Sequence, residues 1–279
     1  MKISVAVPSY NYGRYLEACL GSIAGQHHAA FEVLIADGGS TDDSLAVIAR
    51  HVDLDRRFRL VSSQDAGQAD AVQKAFEQAS GDVFCFLNAD DCYLSTDVFS
   101  SVVAAFEAEP DAGLVSFGGS YVDAAGAIIR PVNLRYHPGD GLANLPWRSS
   151  VLQPATFWRR EVQQRFPIRA DFHYCFDALF FWQAWGQFRW IERERPVAGY
   201  RLHGDNKSMQ VRPARVLELA RFERIKFGAR SLRALWLAAL GRCLAVFERV
   251  PYAGRGLCRA AYLLNNGLAF VTFYRWPGI

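Results

Sequence analysis

Short apolar segments alternate with amphipathic segments through the first part of the chain. Four apolar runs lack the alternation of a half-exposed strand and predict strands buried on both faces. These runs are residues 2–8, 31–36, 58–62 and 82–87. The segments between them repeat apolar residues at helical spacing. Their stripes are Leu16, Cys19, Leu20 and Ile23; Leu45, Ile48, Ala49 and Val52; and Ala69, Val72, Phe76 and Ala79. This order predicts an α/β fold, with a Rossmann-like, mainly parallel central sheet flanked by helices.

The pattern changes after the fourth apolar run. It predicts a helix over residues 95–107 and a further strand over residues 113–118. Asp123 and Gly126 indicate a turn between two extended stretches. The segment 136–147 is rich in Gly, Pro and His and predicts a loop over the ligand site.

Composition and charge divide the chain into two regions. The 279 residues are 51% hydrophobic and 14% aromatic, enough for a substantial core, which argues against disorder. Residues 215–279 have a helical, amphipathic pattern. From Arg212 onward, twelve Lys and Arg face three Glu, a net charge of +9, so residues 1–211 carry −6 of the total of +3. We therefore expect a catalytic or binding domain over residues 1–211 and a basic helical appendage over residues 212–279.

The basic region suggests two alternatives. Arg233, Arg242 and Arg249 interrupt its apolar stretches, so a helix that spans a membrane is not expected. Basic residues beside Leu, Trp and Phe suit peripheral contact with an anionic membrane. The alternative is a helical appendage packed on the protein or on a second copy. Long apolar stretches dilute the charge and argue against nucleic-acid binding.

The six cysteines form no CxxC pair and have no companion His at zinc-site spacing. This pattern argues against a structural metal site and against a disulfide framework. The first residues lack the long apolar region of a secretory signal and predict a strand instead. We therefore expect a cytoplasmic protein, with peripheral contact to the inner face of the plasma membrane as the membrane alternative.

Polar residues collect where the four predicted strands end. The sets are Ser9, Tyr10 and Asn11; Asp37, Gly38 and Gly39; Asp65, Gly67 and Gln68; and Asn88, Asp90 and Asp91. Ligands of such sheets bind outside the carboxyl ends of the strands. Carboxylate and amide oxygens suit Mg²⁺ or Mn²⁺, which complete their coordination shell with water and substrate phosphates. The strand ends therefore predict a phosphate-bearing ligand.

Four motifs carry a family resemblance. GxGxxG, GxxxxGK[ST], HExxH and GxSxG are absent, which disfavours dinucleotide, P-loop, metalloprotease and α/β-hydrolase sites. The motifs present are "VPSYN" at 7–11, "ADGGSTDDS" at 36–44, "DAGQADAVQKAF" at 65–76 and "LNADD" at 87–91. In this order they resemble glycosyltransferase family 2, the inverting enzymes of GT-A fold, over roughly residues 1–210.

The resemblance implies a pocket for a nucleotide-sugar donor. Its lining would comprise Pro8, Tyr10, Asn11, Asp37, Gln68 and Asp70. Within this set, Asp37 would contact the nucleoside base. The metal-binding motif of the family falls on residues 88–90, which makes Asp90 the ligand of Mn²⁺ or Mg²⁺. Asn88 replaces the first Asp of that motif and would contact ribose or metal-bound water. Asp91 is a weaker candidate that could instead cap the following turn.

Inverting transfer needs a base that deprotonates the acceptor hydroxyl. Asp177 in "FHYCFDALFFWQAW" is the candidate, because it matches the family position and because burial among aromatic groups raises the pKa of a carboxyl. A helix N-cap is the structural alternative for Asp177, and Asp171 is the second candidate base.

Two later segments also resemble the family. "YRLHGDNKS" at 200–208 places Arg201 and His203 near the diphosphate, where they would stabilise the leaving group. "LQPATFW" at 152–158 places Gln153 on the acceptor side.

The resemblance thus implies a metal-dependent glycosyltransferase. It would move a sugar from a nucleotide-sugar, with a UDP-sugar favoured, to a hydroxyl of a glycan or lipid-linked acceptor in surface polysaccharide or glycoconjugate synthesis. Two alternatives are a sugar-phosphate nucleotidyltransferase and a non-enzymatic protein that binds sugar nucleotides. The first would ordinarily show a glycine-rich basic loop near its N-terminus, which "VPSYNYGRY" lacks.

Overall fold

The computed structural model describes residues 1–62, 64–132, 151–204, 206 and 212–247. The predicted loop at 136–147 and the predicted helical region beyond residue 247 lie outside this part of the chain. The described residues form two compact units. The first unit ends at Gly204, and the second combines the segment His173–Cys175 with the described residues after Gly204. The boundary expected between residues 211 and 212 stays a prediction.

Nine strands of the described chain form one sheet. They are β1 (Ile3–Ser9), β2 (Phe31–Asp37), β3 (Phe58–Ser62), β4 (Val83–Phe86), β5 (Cys92–Tyr93), β6 (Ala112–Val122), β7 (Ile128–Pro131), β8 (Thr156–Arg159) and β9 (Arg189–Arg201). Their order is β3-β2-β1-β4-β8-β6-β9-β5, and β7 pairs with β6. β1 to β4 pair in parallel, as do β6 and β9, whereas β5, β7 and β8 run antiparallel to their neighbours. The predicted mainly parallel sheet is confirmed.

Six helices accompany the sheet in the described part of the first unit. They are α1 (Gly13–Ala24), α2 (Ser44–Leu54), α3 (Gln68–Glu77), α4 (Val98–Ala108), α5 (Arg160–Arg165) and α6 (Phe176–Ala184). A short 3₁₀ helix, Gln153–Ala155, precedes β8. The predicted helix at 95–107 therefore begins three residues later, at Val98, and the predicted turn at 123–126 joins β6 to β7.

Both faces of the sheet are buried, as the continuous apolar runs predict. In β4, Val83 and Cys85 belong to the core that also contains residues of α1, α2 and α4. Phe84 and Phe86 alternate with them and point to the opposite face, where the Phe84 ring stacks on Phe76 of α3 with 5.2 Å between centroids. A strand buried on both sides needs apolar residues at every position.

The buried face of α2 differs from the predicted one. Leu45 is 41% exposed and Ala49 is also exposed, whereas Ser44, Val47 and Ile48 are buried. The cause lies in α1, which approaches the start of α2 so closely that a Cβ on Gly13 would lie 3.0 Å from the Ser44 nitrogen. Ser44 is therefore turned inward, and the apolar residues that follow at helical spacing are Val47 and Ile48.

The sequence pattern does not predict β8 or β9. Charged residues interrupt β9, whose central part reads "ERER" before Pro196. It forms a strand because it pairs in parallel with β6 through an irregular register around Gly118. A Cβ on Gly118 would lie 2.6 Å from the Glu194 carbonyl oxygen, so glycine gives the two backbones room. Because of this pairing, the end of β9 lies next to the segment that follows the carboxyl end of β4.

The second unit contains two helices in its described part, α7 (Pro213–Phe227) and α8 (Leu232–Phe247). Glu218 of α7 is buried and accepts hydrogen bonds from the backbone N–H groups of residues 173–175. α8 packs tightly on α7, because a Cβ on Gly241 would lie 2.7 Å from Leu217 Cδ2. No helix within the described residues is both long and apolar enough to cross a membrane.

Candidate active site

The loop after β2 is built around Asp37. This residue is fully buried, and its Oδ1 accepts hydrogen bonds from the N–H groups of Gly39 (3.0 Å) and Ser40 (2.7 Å). Its Oδ2 accepts from the Ser40 hydroxyl at 2.7 Å. Gly39 has φ +87°, a conformation that glycine adopts readily. Both oxygens of Asp37 thus hold its own loop, and its contact with the nucleoside base stays a prediction.

The residues after β1 meet the same loop. Asn11 has φ 58° and accepts a hydrogen bond from the Thr41 N–H at 2.8 Å, while its own N–H donates to the Ser40 hydroxyl at 2.8 Å. Pro8 is buried within β1, opposite Ala36 of β2. Tyr10 is 58% exposed. The Tyr10 ring is therefore exposed, and Asn11 joins the two loops. The predicted contacts of Pro8, Tyr10 and Asn11 with the donor stay predictions.

Asn88 lies at the centre of a network after β4. Its Oδ1 accepts a hydrogen bond from Gln68 Nε2 at 2.7 Å, and its Nδ2 donates to Asp91 Oδ2 at 3.2 Å and to Gln153 Oε1 at 3.3 Å. Gln153 is 8% exposed and donates in turn to the Phe86 carbonyl at 2.6 Å. Gln68 and Gln153 therefore position the strand end, and the predicted acceptor contact of Gln153 stays a prediction.

Asp90 contacts a histidine from a distant segment. Its Oδ2 lies 2.9 Å from His203 Nε2, with the His203 side chain 3% exposed and that of Asp90 13% exposed. The His203 ring packs against Tyr15 of α1, with 4.8 Å between centroids, and against Tyr12 at 6.0 Å. The two tyrosines were not predicted as site residues, although their rings determine where the imidazole lies.

Asp91 and Arg201 connect the two segments that carry Asp90 and His203. Asp91 is 2% exposed and accepts the Arg201 backbone N–H at 2.9 Å. Burial, and next the charge of Asp90, raise the pKa of Asp91 well above its usual value. Asp91 therefore joins the end of β9 to the segment that follows β4. Among the described residues, its hydrogen bonds go to Arg201 and Asn88 and not to the following turn.

The Arg201 guanidinium also contacts backbone. Nε donates to the Asp90 carbonyl at 2.7 Å, and Nη1 donates to the carbonyls of Asp123 at 2.9 Å and Ala124 at 3.1 Å. The residue is 2% exposed, and its charge lies 5.1 Å from the centre of the Tyr15 ring. These contacts make Arg201 a positioning group for Asp90, and its predicted contact with a diphosphate stays a prediction.

Asp70 lies in the first turn of α3. Its Oδ2 accepts hydrogen bonds from the Ala66 N–H and from the Lys74 ammonium, both at 2.9 Å. These two bonds, the backbone one first, lower the pKa of Asp70. The carboxylate thus orders the turn before α3, and its predicted contact with the donor stays a prediction.

Asp177 is the second residue of α6. One carboxylate oxygen accepts the Ala178 N–H at 2.8 Å, and the side chain is partly exposed. The preceding Phe176 packs on Phe86, with 5.7 Å between ring centroids, which places the start of α6 beside the end of β4. Asp171, the second candidate base, is exposed and forms an ion pair with Arg169 at 2.7 Å. Asp177 thus lies in the first turn of α6 rather than at its N-cap, and its role as the base stays a prediction.

The donor set for a divalent cation is small. Asp90 and His203 are close enough to share one ion. A carboxylate oxygen suits Mg²⁺ or Mn²⁺, and an imidazole nitrogen is a ligand of transition metals. Within the described ranges, no group of three or more His, Cys, Asp or Glu side chains is arranged to hold a metal ion. The protein would thus supply part of a coordination shell, and substrate oxygens the rest.

Comparison with known proteins identifies the family. The chain is 28% identical over 235 residues to an uncharacterized glycosyltransferase of Nostoc sp., covering 77% of this chain and 69% of the relative. Its fold matches the mannosyltransferase PcManGT from Pyrobaculum calidifontis, solved in complex with GDP-Man and Mn²⁺, with a TM-score of 0.61, 20% identity and coverage of 98% and 81%. It also matches S. aureus TarS 1-349 in complex with UDP-GlcNAc, with a TM-score of 0.59, 17% identity and coverage of 100% and 95%.

These two neighbours have the GT-A fold, which the architecture described above shares. The family model of Glycosyl transferase family 2 matches residues 4–166, more than half of the chain. This segment contains all four motifs on which the sequence resemblance rests. The chain therefore belongs to glycosyltransferase family 2 and is a glycosyltransferase.

Proposed function

We propose that this protein is an inverting, divalent-metal-dependent glycosyltransferase that moves a sugar from a nucleotide-sugar, with a UDP-sugar favoured, to a hydroxyl of a glycan or lipid-linked acceptor. The observation that carries the proposal is the contact between Asp90 and His203 at the carboxyl end of β4. Around it lie the ends of β1, β2 and β3, and the first turn of α6, which contains Asp177, lies beside it. Surface polysaccharide or glycoconjugate synthesis is the process that such a transfer would serve.

Asp90 and His203 are the residues that would hold the metal. Both side chains are largely buried, so their position is determined by packing before a ligand arrives. Arg201 donates a hydrogen bond to the Asp90 carbonyl, and Asp91 accepts one from the Arg201 N–H, which limits the movement of the Asp90 backbone and so of its carboxylate. A bound Mn²⁺ or Mg²⁺ would supply positive charge for the diphosphate that leaves. The donor complexes of PcManGT and TarS support a nucleotide-sugar as the ligand.

Asp177 would serve as the base. The acceptor hydroxyl gives its proton to the Asp177 carboxylate while its oxygen attacks the anomeric carbon. The bond from that carbon to the diphosphate oxygen breaks on the opposite face, the diphosphate takes the electron pair, and the configuration inverts. Support for this role comes from the place of Asp177, which is partly exposed beside the strand end that carries Asp90.

The second unit suggests where the enzyme works. One side of α8 exposes Leu232 (82%), Leu235 (54%) and Trp236 (51%), with the exposed Arg233 among them. Trp and Leu beside cationic side chains suit the interface of an anionic membrane. We therefore propose that the enzyme is cytoplasmic and contacts the inner face of the plasma membrane peripherally. A lipid-linked acceptor would be available there.

A donor screen tests the proposal. The full chain with Mn²⁺ should be stabilised against heat by one nucleotide-sugar more than by others, because a selective ligand raises stability with the logarithm of its concentration over its dissociation constant. EDTA should remove the effect. Incubation of the selected donor with a hydroxyl acceptor should then give a product of inverted anomeric configuration by NMR. A retained configuration, or equal stabilisation with EDTA, would contradict the proposed mechanism.

A further inference from the structure

Glu218 of α7 binds the backbone of the segment that leads into α6. Its side chain is buried, and its carboxylate accepts hydrogen bonds from three successive N–H groups. Oε2 accepts from Tyr174 at 2.7 Å and from Cys175 at 3.1 Å, and Oε1 accepts from His173. Glu218 and residues 173–175 belong to the same compact unit. One buried carboxylate therefore fixes this short segment at three consecutive points.

The fixed segment ends directly before the first turn of α6. Cys175 is joined to Phe176, the first residue of α6, and Asp177 follows. Phe176 is buried, and its ring packs on Phe86 at the end of β4. The backbone that carries Asp177 is thus constrained by ring packing at the preceding residue and by the hydrogen bonds of Glu218 in the three residues before that.

The hydrogen bond of Asp177 within α6 has a different effect. Its carboxylate accepts the N–H of the next residue, Ala178, at 2.8 Å. A bond between adjacent residues orients the side chain relative to the helix that carries it, but it does not determine where that helix begins. The place at which the chain enters α6 depends on the segment that Glu218 binds.

We propose that Glu218 is a positioning residue for sugar transfer, which holds residues 173–175 and thereby sets the place of the Asp177 carboxylate. This inference rests on the proposed function, since it takes Asp177 as the base. A general base must lie within hydrogen-bond reach of the proton that it removes. Misplacement by about 1 Å can lower a rate by about 100-fold. Glu218 therefore acts on the chemical step through the backbone and not by contact with a substrate.

Three converging N–H groups explain why the position requires a carboxylate. An ionised carboxylate has about four acceptor positions and no donor, so it can serve all three groups. Glutamine has the same size, but its Nε2 donates, and one side of the amide would then face a backbone N–H. A buried N–H without an acceptor is unfavourable, so the segment would shift to find another partner. Aspartate retains both acceptor oxygens on a shorter side chain.

Steady-state kinetics of the full chain with Mn²⁺ test the inference, using the nucleotide-sugar selected by the donor screen and a hydroxyl acceptor. Glu218→Gln should lower kcat by about 10- to 100-fold and leave the KM of the donor unchanged, because the donor site is not altered. Glu218→Asp should lower kcat less, since it keeps both acceptor oxygens. Glu161→Gln, at an exposed position of α5, is the control and should match the parent.

A double-mutant cycle separates positioning from a general loss of structure. If Glu218 acts through Asp177, adding Glu218→Gln to Asp177→Asn should not lower the residual transfer further. A defect that reduces the folded fraction would lower transfer by the same factor in both backgrounds. Melting temperatures of all four proteins define an assay temperature at which each is folded. If Glu218→Gln does not fold, Glu218→Asp replaces it, and its smaller loss should likewise vanish in the Asp177→Asn background.

The outcomes distinguish this inference from the proposed function. A kcat near that of the parent in a folded Glu218→Gln protein, or an equal loss in both backgrounds, would show that Glu218 does not position the base. Asp177 would remain the base in either case. Near-normal transfer by Asp177→Asn would instead contradict both the base assignment and the role of Glu218.

Discussion

Asp90 and His203 are separated by 113 positions in the sequence, yet Asp90 Oδ2 and His203 Nε2 lie 2.9 Å apart. Two features of the fold bring them together. β4 ends at Phe86 and leaves Asp90 in the following turn, and β9 pairs with β6 and β5 until Arg201, so that His203 arrives at the same edge. Asp91 then ties the two segments directly by accepting the Arg201 N–H. The candidate metal site therefore depends on a strand that the local sequence pattern does not predict.

If Asp90 binds the metal together with His203, removing its carboxylate should remove the metal-dependent part of donor binding. Asp90→Ala should abolish the Mn²⁺-dependent part of UDP affinity and leave the fold intact, because the backbone carbonyl that binds Arg201 remains. Titration calorimetry with and without EDTA measures that part. Asp53→Ala on the exposed face of α2 is the matched control. Mn²⁺-dependent affinity that persists in Asp90→Ala would rule out Asp90 as the ligand.

A double-mutant cycle tests whether His203 acts with Asp90. If both side chains hold one ion, His203→Ala should remove the same Mn²⁺-dependent affinity, and the double variant should bind UDP no more weakly than either single variant. Additive losses would mean that the two residues act at separate places. Thermal melting without metal should accompany the cycle, since His203 also packs on Tyr15.

Asp177→Asn separates a catalytic role from a structural one. Asp177 is the second residue of α6 and therefore not its N-cap, and Asn matches it in shape and can accept the same hydrogen bond from the Ala178 N–H. The melting temperature and the UDP affinity should therefore barely change. Transfer should fall at least ~100-fold, the usual low end for the loss of a positioned base. Asp171→Asn is the matched control and should stay within a few-fold of the parent, because Asp171 forms a surface ion pair. Near-normal turnover in Asp177→Asn would refute the assignment.

Glu32 predicts how stability depends on pH. Burial opposes its ionisation, but hydrogen bonds from Ser4, Ser80 and Lys2 outweigh this and lower its pKa from 4.5 to about 2. Because the folded-state pKa is the lower one, Glu32 contributes stability that is fully present above pH 4.5 and is lost as the pH falls towards 2. Urea unfolding at pH 7 and pH 3 should therefore show a smaller loss of unfolding free energy for Glu32→Gln than for the parent. An equal loss in both proteins would show that Glu32 has no part in the acid response.

The exposed face of α8 predicts membrane contact. Replacing Leu235 and Trp236 by Gln should release the full chain from vesicles of anionic phospholipid at low salt, because the apolar part of the contact is lost. Ile128 and Ile129 of β7 are also exposed, at 63% and 52%, and their replacement by Gln is the matched control. Co-sedimentation measures both. A parent protein that stays in the supernatant would support the alternative, an appendage packed against protein.

Some features of the protein could be read from the sequence because they depend on local pattern. The four apolar runs and the three helical stripes predict β1 to β4 and α1 to α3 to within a few residues. The polar residues after those strands mark the binding edge, since parallel strands end on the same side of a sheet. Asp90 and His203 could be named from motifs, although nothing in the motifs says that they touch.

Only the tertiary structure showed which hydrogen bonds these side chains form within the protein, and their contacts with a ligand stay predictions. Asp37 and Asp65 look alike in the sequence, but the Ser40 hydroxyl and two N–H groups occupy Asp37, whereas Asp65 remains accessible over Gly38. Arg201 is likewise committed to three backbone carbonyls. The physical reason is that burial and hydrogen-bond satisfaction depend on neighbours that are distant in the chain. A motif specifies the chemical group, and the packing of the whole unit determines whether that group still has a free lone pair or donor to offer.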